Sequence, residues 1–433
     1  MLNLDLLAFC TLRVLWGNAM QANESTVAPR ALIADSAPVP LSGRQTGEIT
    51  SFATDDLWSV EAVWRRLQAG GIESPGQSFD FIRQWVEHRQ VPREHQCYLV
   101  GLVDGEPVAL IALHRKRVRG VPVLTWFPGA NVGCYAPVSN YGRLAALGPK
   151  GRELLWQTMF SHASGADVVY LRSIPVEVGG HHGLFDELGS TLAVETVYRS
   201  QFNTWEECDR LQRSKSRRKH DRQQGDRLAA MGEVSFEELR EGDDMEGAIQ
   251  TLFQQRSARF KAMGVRDFFV WERLVGFYQN LATPGSGVDV RLHVLRLEGE
   301  IVAVRYNVVH NDRMFCLISS MSDDPAIQNG SPGKQCLMRV MQTVFDQGIR
   351  VFDMGSGFTD EKRHWCNVQT PLRQHYIGLS PRGALIVQAH QTFQKTRAAI
   401  KANRQLKALA RGMRSLLDRA TSRRTEPCGD KSE

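Results

Sequence analysis

The 433-residue sequence has no run of about 18 uninterrupted apolar residues, so it offers no helix that would span a bilayer. It has no CxxC pair and no Cys/His cluster at zinc-ligand spacing. Its eight cysteines, Cys10, Cys97, Cys134, Cys208, Cys316, Cys336, Cys366 and Cys428, are scattered. Most lie in apolar runs, which reads as reduced, buried thiols of a cytosolic protein. The serine-hydrolase elbow GxSxG, the zinc-protease HExxH, GxGxxG after the first strand and the phosphate loop GxxxxGK[ST] are all missing. His181-His182 stands between Gly179 and Gly183 without Asp, Glu or Cys at ligand spacing on its N-terminal side, so no metal is expected. The apolar stretch Leu6–Leu12 has no upstream cation and is bounded by Asp5 and Arg13, unlike a secretory signal. Met20 is an alternative start, and residues 1–50 read as a flexible leader.

What is present fits a folded, multi-domain chain: 42% hydrophobic residues, and a length of about two to three domains at roughly 150 residues each. After a helical pattern from Asp55 to Leu67 and a second from Phe79 to Val86, Cys97–Val103 reads as a buried strand. Asp104-Gly105 is a hairpin turn, Val108–Leu113 the return strand, and Val121–Phe127 a third strand. A helix after Gly148-Pro149 and a strand over 167–175 follow. The same order recurs: strand 292–297, turn Glu298-Gly299, return strand from Ile301, strand 313–320, helix after Ser331-Pro332-Gly333, strand 350–354. The turns at Asp104 and Glu298 stand 194 residues apart. Self-similarity in fixed order over a domain length implies duplication of one α/β unit with a mixed sheet.

Several segments of the second copy carry chemistry. Asn329-Gly330-Ser331-Pro332-Gly333-Lys334 opens a helix, and bare N–H groups with the helix dipole favour a phosphate, although an empty capped turn has the same string. Gly355 and Gly357 follow Asp353 at a strand's C-terminal end, where open α/β sheets bind ligands. Lys362 and Trp365 come next, a cation and a ring that could clamp an anionic substrate, or a loop with a core Trp. Arg305 and Tyr306 sit inside an apolar strand, where a charge must be paired or face a cleft.

Two segments are strongly basic. Residues 213–222 hold six cations in ten, with no aromatic between them to stack on bases. Residues 391–424 carry ten Lys and Arg against Asp418, with Leu406, Leu409, Met413 and Leu416 at helical spacing. That is a basic amphipathic helix, suited to anionic lipid, to a partner, or to the protein's own body.

The repeated unit, the basic helix, and the strings SPGKQCLMRVM and VFDMGSGFTDEKRHW resemble the GNAT-superfamily acyltransferases with a doubled domain. They resemble most closely the BioF-like acetyltransferases associated with cellulose and exopolysaccharide, and more distantly the aminoacyl transferases of peptidoglycan bridges. The resemblance implies two tandem GNAT-like domains, 51–205 and 233–382, with a basic interdomain helix over 206–232 and a basic tail over 383–433. It implies acyl-CoA (acetyl-CoA) as co-substrate, no metal, and a small-molecule or glycan-precursor acceptor. It places the diphosphate on Gly330, Ser331, Gly333 and Lys334, and substrate on Gly355, Gly357 and Trp365; Arg305 and Tyr306 join the substrate residues from the buried-strand reading. Asp353 becomes the candidate base and Lys362 an oxyanion contact. Nucleic acid is not expected as a partner, and a cytoplasmic protein is, peripheral at the membrane's inner face or held to a synthase complex through 391–424. Transfer from charged tRNA and a non-catalytic adaptor are the alternatives.

Overall fold

The computed structural model describes residues 47–127, 132–241, 243 and 245–402. Its first half runs β1 (Ile49–Thr54), α1 (Glu61–Gln68), α2 (Phe79–His88), β2 (Gln96–Val103), β3 (Glu106–Val118), β4 (Val121–Trp126), α3 (Gly148–Phe160), β5 (Val168–Pro175) and β6 (Ser190–Gln201). Helices α4 (Trp205–Gln212) and α5 (Lys215–Ala229) follow. The second half repeats the order as β7 (Val234–Leu239), α6 (Glu246–Ala262), α7 (Val275–Leu281), β8 (Asp289–Leu297), β9 (Glu300–His310), β10 (Arg313–Met321), α8 (Pro332–Asp346), β11 (Val351–Ser356), α9 (Asp360–Trp365) and β12 (Val368–Gly378).

The duplication is visible at the turns. Asp104-Gly105 has φ of 54° and 74°, and Glu298-Gly299 has 51° and 80°. Two consecutive left-handed residues match the twist of the flanking strands, so each hairpin closes tightly.

The two copies share one mixed sheet, in the order β1-β2-β3-β4-β5-β12-β6-β11-β10-β9-β8-β7. The bridge Val138–Ser139 pairs with β3 beside it. Only β4–β5 and β10–β11 are parallel. The centre is crossed over: β6 follows β5 in the chain but pairs with β11, and β12 follows β11 but pairs with β5. Each copy thus completes the other's sheet. The described residues from 47 to 379 form one compact unit.

Apolar packing ties the copies as well. One core cluster takes in Trp64, Phe79 and Tyr98 of the first copy and Phe277, Tyr278 and Tyr306 of the second. Phe81 and Trp85 on α2 meet Phe277 on α7 edge-on, at 5.4 and 5.0 Å. A second cluster lies under α8, with Leu337, Val340, Met341 and Val344 fully buried.

Helix α10 (Pro381–Ala402) falls in a separate unit. Residues 403–424 of the expected basic tail, with Leu406, Leu409, Met413 and Leu416, lie outside the described residues, as do residues 1–46 of the leader. Strand β1 begins at Ile49, within the stretch read as leader. No helix among the described residues is long and apolar enough to cross a membrane.

Candidate active site

Parallel pairing between β10 and β11 covers only Arg313–Phe315 with Val351–Asp353. Beyond Phe315, β10 continues along β9 to Met321, while β11 stays on β6 across a register break between Asp353 and Ser356, where Ser356 faces Val197. The neighbours part, and a wedge opens between them. The first copy has the same short pairing, Val123–Thr125 with Val168–Tyr170. Gly355 and Gly357, at φ 76° and 83°, steer β11 off the ladder in a conformation that side chains strain to adopt. A Cβ on Gly133 would lie 3.1 Å from Gly355 Cα, so these bare backbones are pressed together. Gly357 N–H donates to Thr196 O at 3.1 Å. The sequence reading gave both glycines to substrate. Instead, Gly355 admits a loop of the first copy and Gly357 ties back to β6.

Arg305 is buried at the wedge. One Nη donates to the Gly333 carbonyl at 3.2 Å and stands 3.5 Å from Glu361, and the other meets Cys316 Sγ at 3.7 Å. Its Nε is buried without a hydrogen-bond partner. An unsatisfied buried N–H costs roughly 1–3 kcal/mol and calls for an explanation. Lys362 sits on α9, whose start Thr359 caps by accepting from Lys362 N–H at 3.2 Å. Its Nζ donates to Ser356 O at 2.6 Å, and burial pushes its pKa below the ordinary lysine value. The Cys316 thiol is pushed up by burial, which keeps it a protonated wall rather than a nucleophile. Sequence reasoning named Arg305 and Lys362 but assigned no role to Cys316 or Glu361.

The start of α8 is less open than its sequence suggests. Ser331 takes the left-handed conformation (φ 50°). Gly330 N–H donates to Ile327 O, Ser331 N–H to Gln328 O, and Lys334 N–H to Ser331 O. Pro332 has no N–H, so within 330–334 only the Gly333 amide lacks a partner. Helix α5 covers the turn. Leu228 packs so closely that a Cβ on Gly330 would meet its Cβ at 2.8 Å. Gln224 donates to Ser331 Oγ and accepts from Lys334 Nζ, both at 2.7 Å. Gln335 Nε2 donates to Asp221 O at 2.8 Å. The expected cradle of bare amides therefore reduces to one amide and the side chain of Lys334. The competitor was invisible in the local string, because α5 stands more than a hundred residues upstream.

Asp353 lies off the wedge, in a buried ionic cluster. Its two oxygens accept from Arg199 Nε at 2.8 Å and Gly355 N–H at 2.7 Å. Arg199 and Arg313 both reach Glu73 at 2.7 Å. Burial would raise the Glu73 pKa, but the two guanidiniums outweigh it and hold the carboxyl below its ordinary value. The cluster joins the segment before α2 to β6, β10 and β11, so it clamps the crossed centre of the sheet. Glu73, Arg199 and Arg313 carry no motif and were not anticipated.

Tyr306 and Trp365 are corrected by packing. Alternation along β9 puts Tyr306 on the face opposite Arg305, fully buried, with its hydroxyl donating to Tyr278 O at 2.9 Å. Trp365 is buried under α4, its ring stacked on Trp205 at 6.1 Å with the Arg213 guanidinium 5.6 Å away. Neither faces the wedge. In the first copy, a cavity of about 610 Å³ is lined by Arg66, Glu106, Tyr141, Arg143 and His181. No group of residues suited to hold a metal occurs among the described residues.

Residues 215–363 match the family described as an acetyltransferase (GNAT) domain. The match begins at the first residue of α5 and ends in α9, so it includes α5 and the wedge but leaves out α4, the first part of the expected basic helix over 206–232. No curated protein matches the chain. Among solved structures, it is similar to the C-terminal domain assigned to a lysylphosphatidylglycerol synthetase of Agrobacterium fabrum, with 12% identity, 78% of this chain and 96% of that chain covered, and a TM-score of 0.48. It is similar to FemX, with 11% identity, 67% and 90% coverage and a TM-score of 0.44. It is similar to a tandem GNAT protein from the clavulanic acid biosynthesis pathway, with 10% identity, 77% and 99% coverage and a TM-score of 0.37.

Proposed function

We propose that this chain, an acyltransferase with a GNAT domain over residues 215–363, carries an acyl group from acyl-CoA to an amine or hydroxyl in the wedge between β10 and β11. The observation that carries the reading is Arg305: a buried guanidinium at a parted strand pair, with one N–H left without an acceptor. A thioester carbonyl entering the wedge supplies that acceptor. As the acceptor nucleophile attacks, negative charge grows on the carbonyl oxygen, and Arg305 and Lys362 stabilise it. The nucleophile's proton goes to a base and the thiolate of coenzyme A leaves. Glu361, partly exposed beside Arg305, suits that proton transfer better than Asp353, whose carboxylate is buried and held by Arg199. Lys334, which Gln224 holds at 2.7 Å and the buried Asp221 carboxylate faces at 3.6 Å, meets the donor's diphosphate by exchanging Gln224 for a phosphate oxygen, joined by the Gly333 amide.

The acceptor is a sugar or envelope-polysaccharide precursor. What supports that class is the likeness of the strings at 331–341 and 351–365 to the exopolysaccharide-associated acyltransferases. Thiol release from acetyl-CoA and longer acyl-CoAs, measured against a panel of amino sugars and sugar alcohols, tests it. No release with any pair removes the reading.

One observation favours a second reading, transfer from charged tRNA. Lys215, Lys219, Arg222 and Arg227 are exposed on α5 and make no ion pair among the described residues. A tRNA complex held there would weaken steeply with salt. A salt-insensitive or absent mobility shift removes it.

A further inference from the structure

The segment that joins α6 to α7 holds a short helical turn, Phe268–Trp271, and is largely exposed. Six consecutive residues, Lys261 to Arg266, are exposed. Helix α6 stops in a left-handed Gly264 (φ 62°), with Gly264 N–H donating to Lys261 O and Val265 N–H to Phe260 O. The apolar residue after such a stop ordinarily packs back on its helix. Here Val265 is 48% exposed, Met263 is 54%, and further on Val270 is 61% and Trp271 41%. Four large apolar side chains within nine positions are thus offered to solvent.

The base of this turn is built firmly. Phe269, between the exposed residues, is buried against Phe253 at 5.3 Å and Tyr278 at 6.1 Å. Asp267 accepts from Phe269 N–H at 2.9 Å and Val270 N–H at 3.3 Å, and binds the Ser257 hydroxyl. Arg256 lies over Phe260 at 4.9 Å and over Phe269 at 5.7 Å. The ring that can be buried is buried, while Val270 and Trp271 are held out. Arg266 covers the Trp271 ring at 4.0 Å.

The charge around the patch has one sign. Arg259, Lys261, Arg266 and Arg273 are exposed and make no ion pair among the described residues, whereas Asp267 is engaged inside and Glu272 is partly buried. An exposed apolar patch with a Trp and a rim of cations matches the boundary between acyl chains and anionic head groups.

We infer that residues 259–273 form a docking element for the surface of an anionic lipid bilayer, with Met263, Val265, Val270 and Trp271 entering the acyl boundary and the four cations facing the head groups. The element lies apart from the wedge, so the inference stands or falls independently of the acyl-transfer reading.

The test uses the full chain and vesicles of phosphatidylcholine with and without 30% phosphatidylglycerol. The wild type co-sediments with the anionic vesicles and is released by salt. Met263→Ser/Val265→Ser/Val270→Ser/Trp271→Ser lowers the partition at least about tenfold. Lys261→Glu/Arg266→Glu lowers it by roughly fivefold per charge. All six positions are exposed, and an unchanged unfolding midpoint checks the fold. Spin-labelled lipid quenches part of the wild-type tryptophan emission, and Trp271→Phe, which keeps an apolar ring, removes that quenching. The inference is overturned by equal binding to neutral vesicles, by apolar variants that bind like wild type, or by quenching that survives in Trp271→Phe.

Discussion

Replacing Asp353 by Asn keeps the shape of the side chain and deletes its charge, which separates a clamp from a base. Asp353 and Arg199 are both nearly inaccessible, 4% and 7% exposed along their side chains, so solvent screens the pair little. Breaking one member of a buried pair costs about 3–5 kcal/mol. Arg199 keeps Glu73 as a partner, so the lower figure applies. With unfolding entropy near 2.1 cal/mol/K per residue, residues 47–379 lose about 0.7 kcal/mol for each degree, and 3 kcal/mol lowers their midpoint by roughly 4 °C. Calorimetry reads that shift. Acyl transfer, assayed well below the midpoint, stays within about threefold of wild type, whereas losing a general base costs about 10²–10⁴. A stable Asp353→Asn protein with a hundredfold loss of turnover would instead restore Asp353 to the chemistry.

Four further outcomes follow from the same geometry. Glu73 ionises below its ordinary value in the fold, so its contribution is complete above the unfolded carboxyl range and disappears as pH falls through the folded value. Acid unfolding followed by circular dichroism shows this limb in the wild type and a flatter one in Glu73→Gln. Arg305→Met removes a buried charge with an unsatisfied N–H, so the midpoint holds or rises while acyl transfer drops by roughly a hundredfold. Gly330→Ala drives a methyl to 2.8 Å from Leu228 Cβ and 3.1 Å from its Cα, which costs about 1–3 kcal/mol in chemical denaturation. Lys362 loses its proton below the ordinary lysine value, and the alkaline limb of the rate profile moves upward in Lys362→Arg.

The repeat was legible because its hairpins use turn residues that few other structures tolerate, Asp104-Gly105 and Glu298-Gly299. The helices after Gly148 and Ser331 and the strands ending at Pro175 and Met354 followed from apolar periodicity. The strands at the crossed centre were not legible. In β6, Arg199 and Ser200 are buried, and β12 carries Pro371, Gln374 and His375. Such strands break the alternation on which sequence reading depends, because their polar groups are satisfied by partners far along the chain. Edge strands β1 and β7 were missed for the opposite reason, being short and half exposed. At the site, Arg305 could be picked out as a charge where charge is costly, and Lys362 as a cation beside a Trp after a glycine-rich strand end. The roles of Asp353, Tyr306 and Trp365 could not, since each is decided by an arginine, a carbonyl or an indole that only the fold brings near.

In the proposed reaction Arg305 meets the donor's thioester in the wedge. Titration calorimetry of acetyl-CoA and longer acyl-CoAs into the wild type and Arg305→Met tests it most directly. Saturable binding to the wild type that weakens at least about tenfold in a well-folded Arg305→Met protein is the predicted result. Equal binding to both proteins, or none to the wild type, would contradict it.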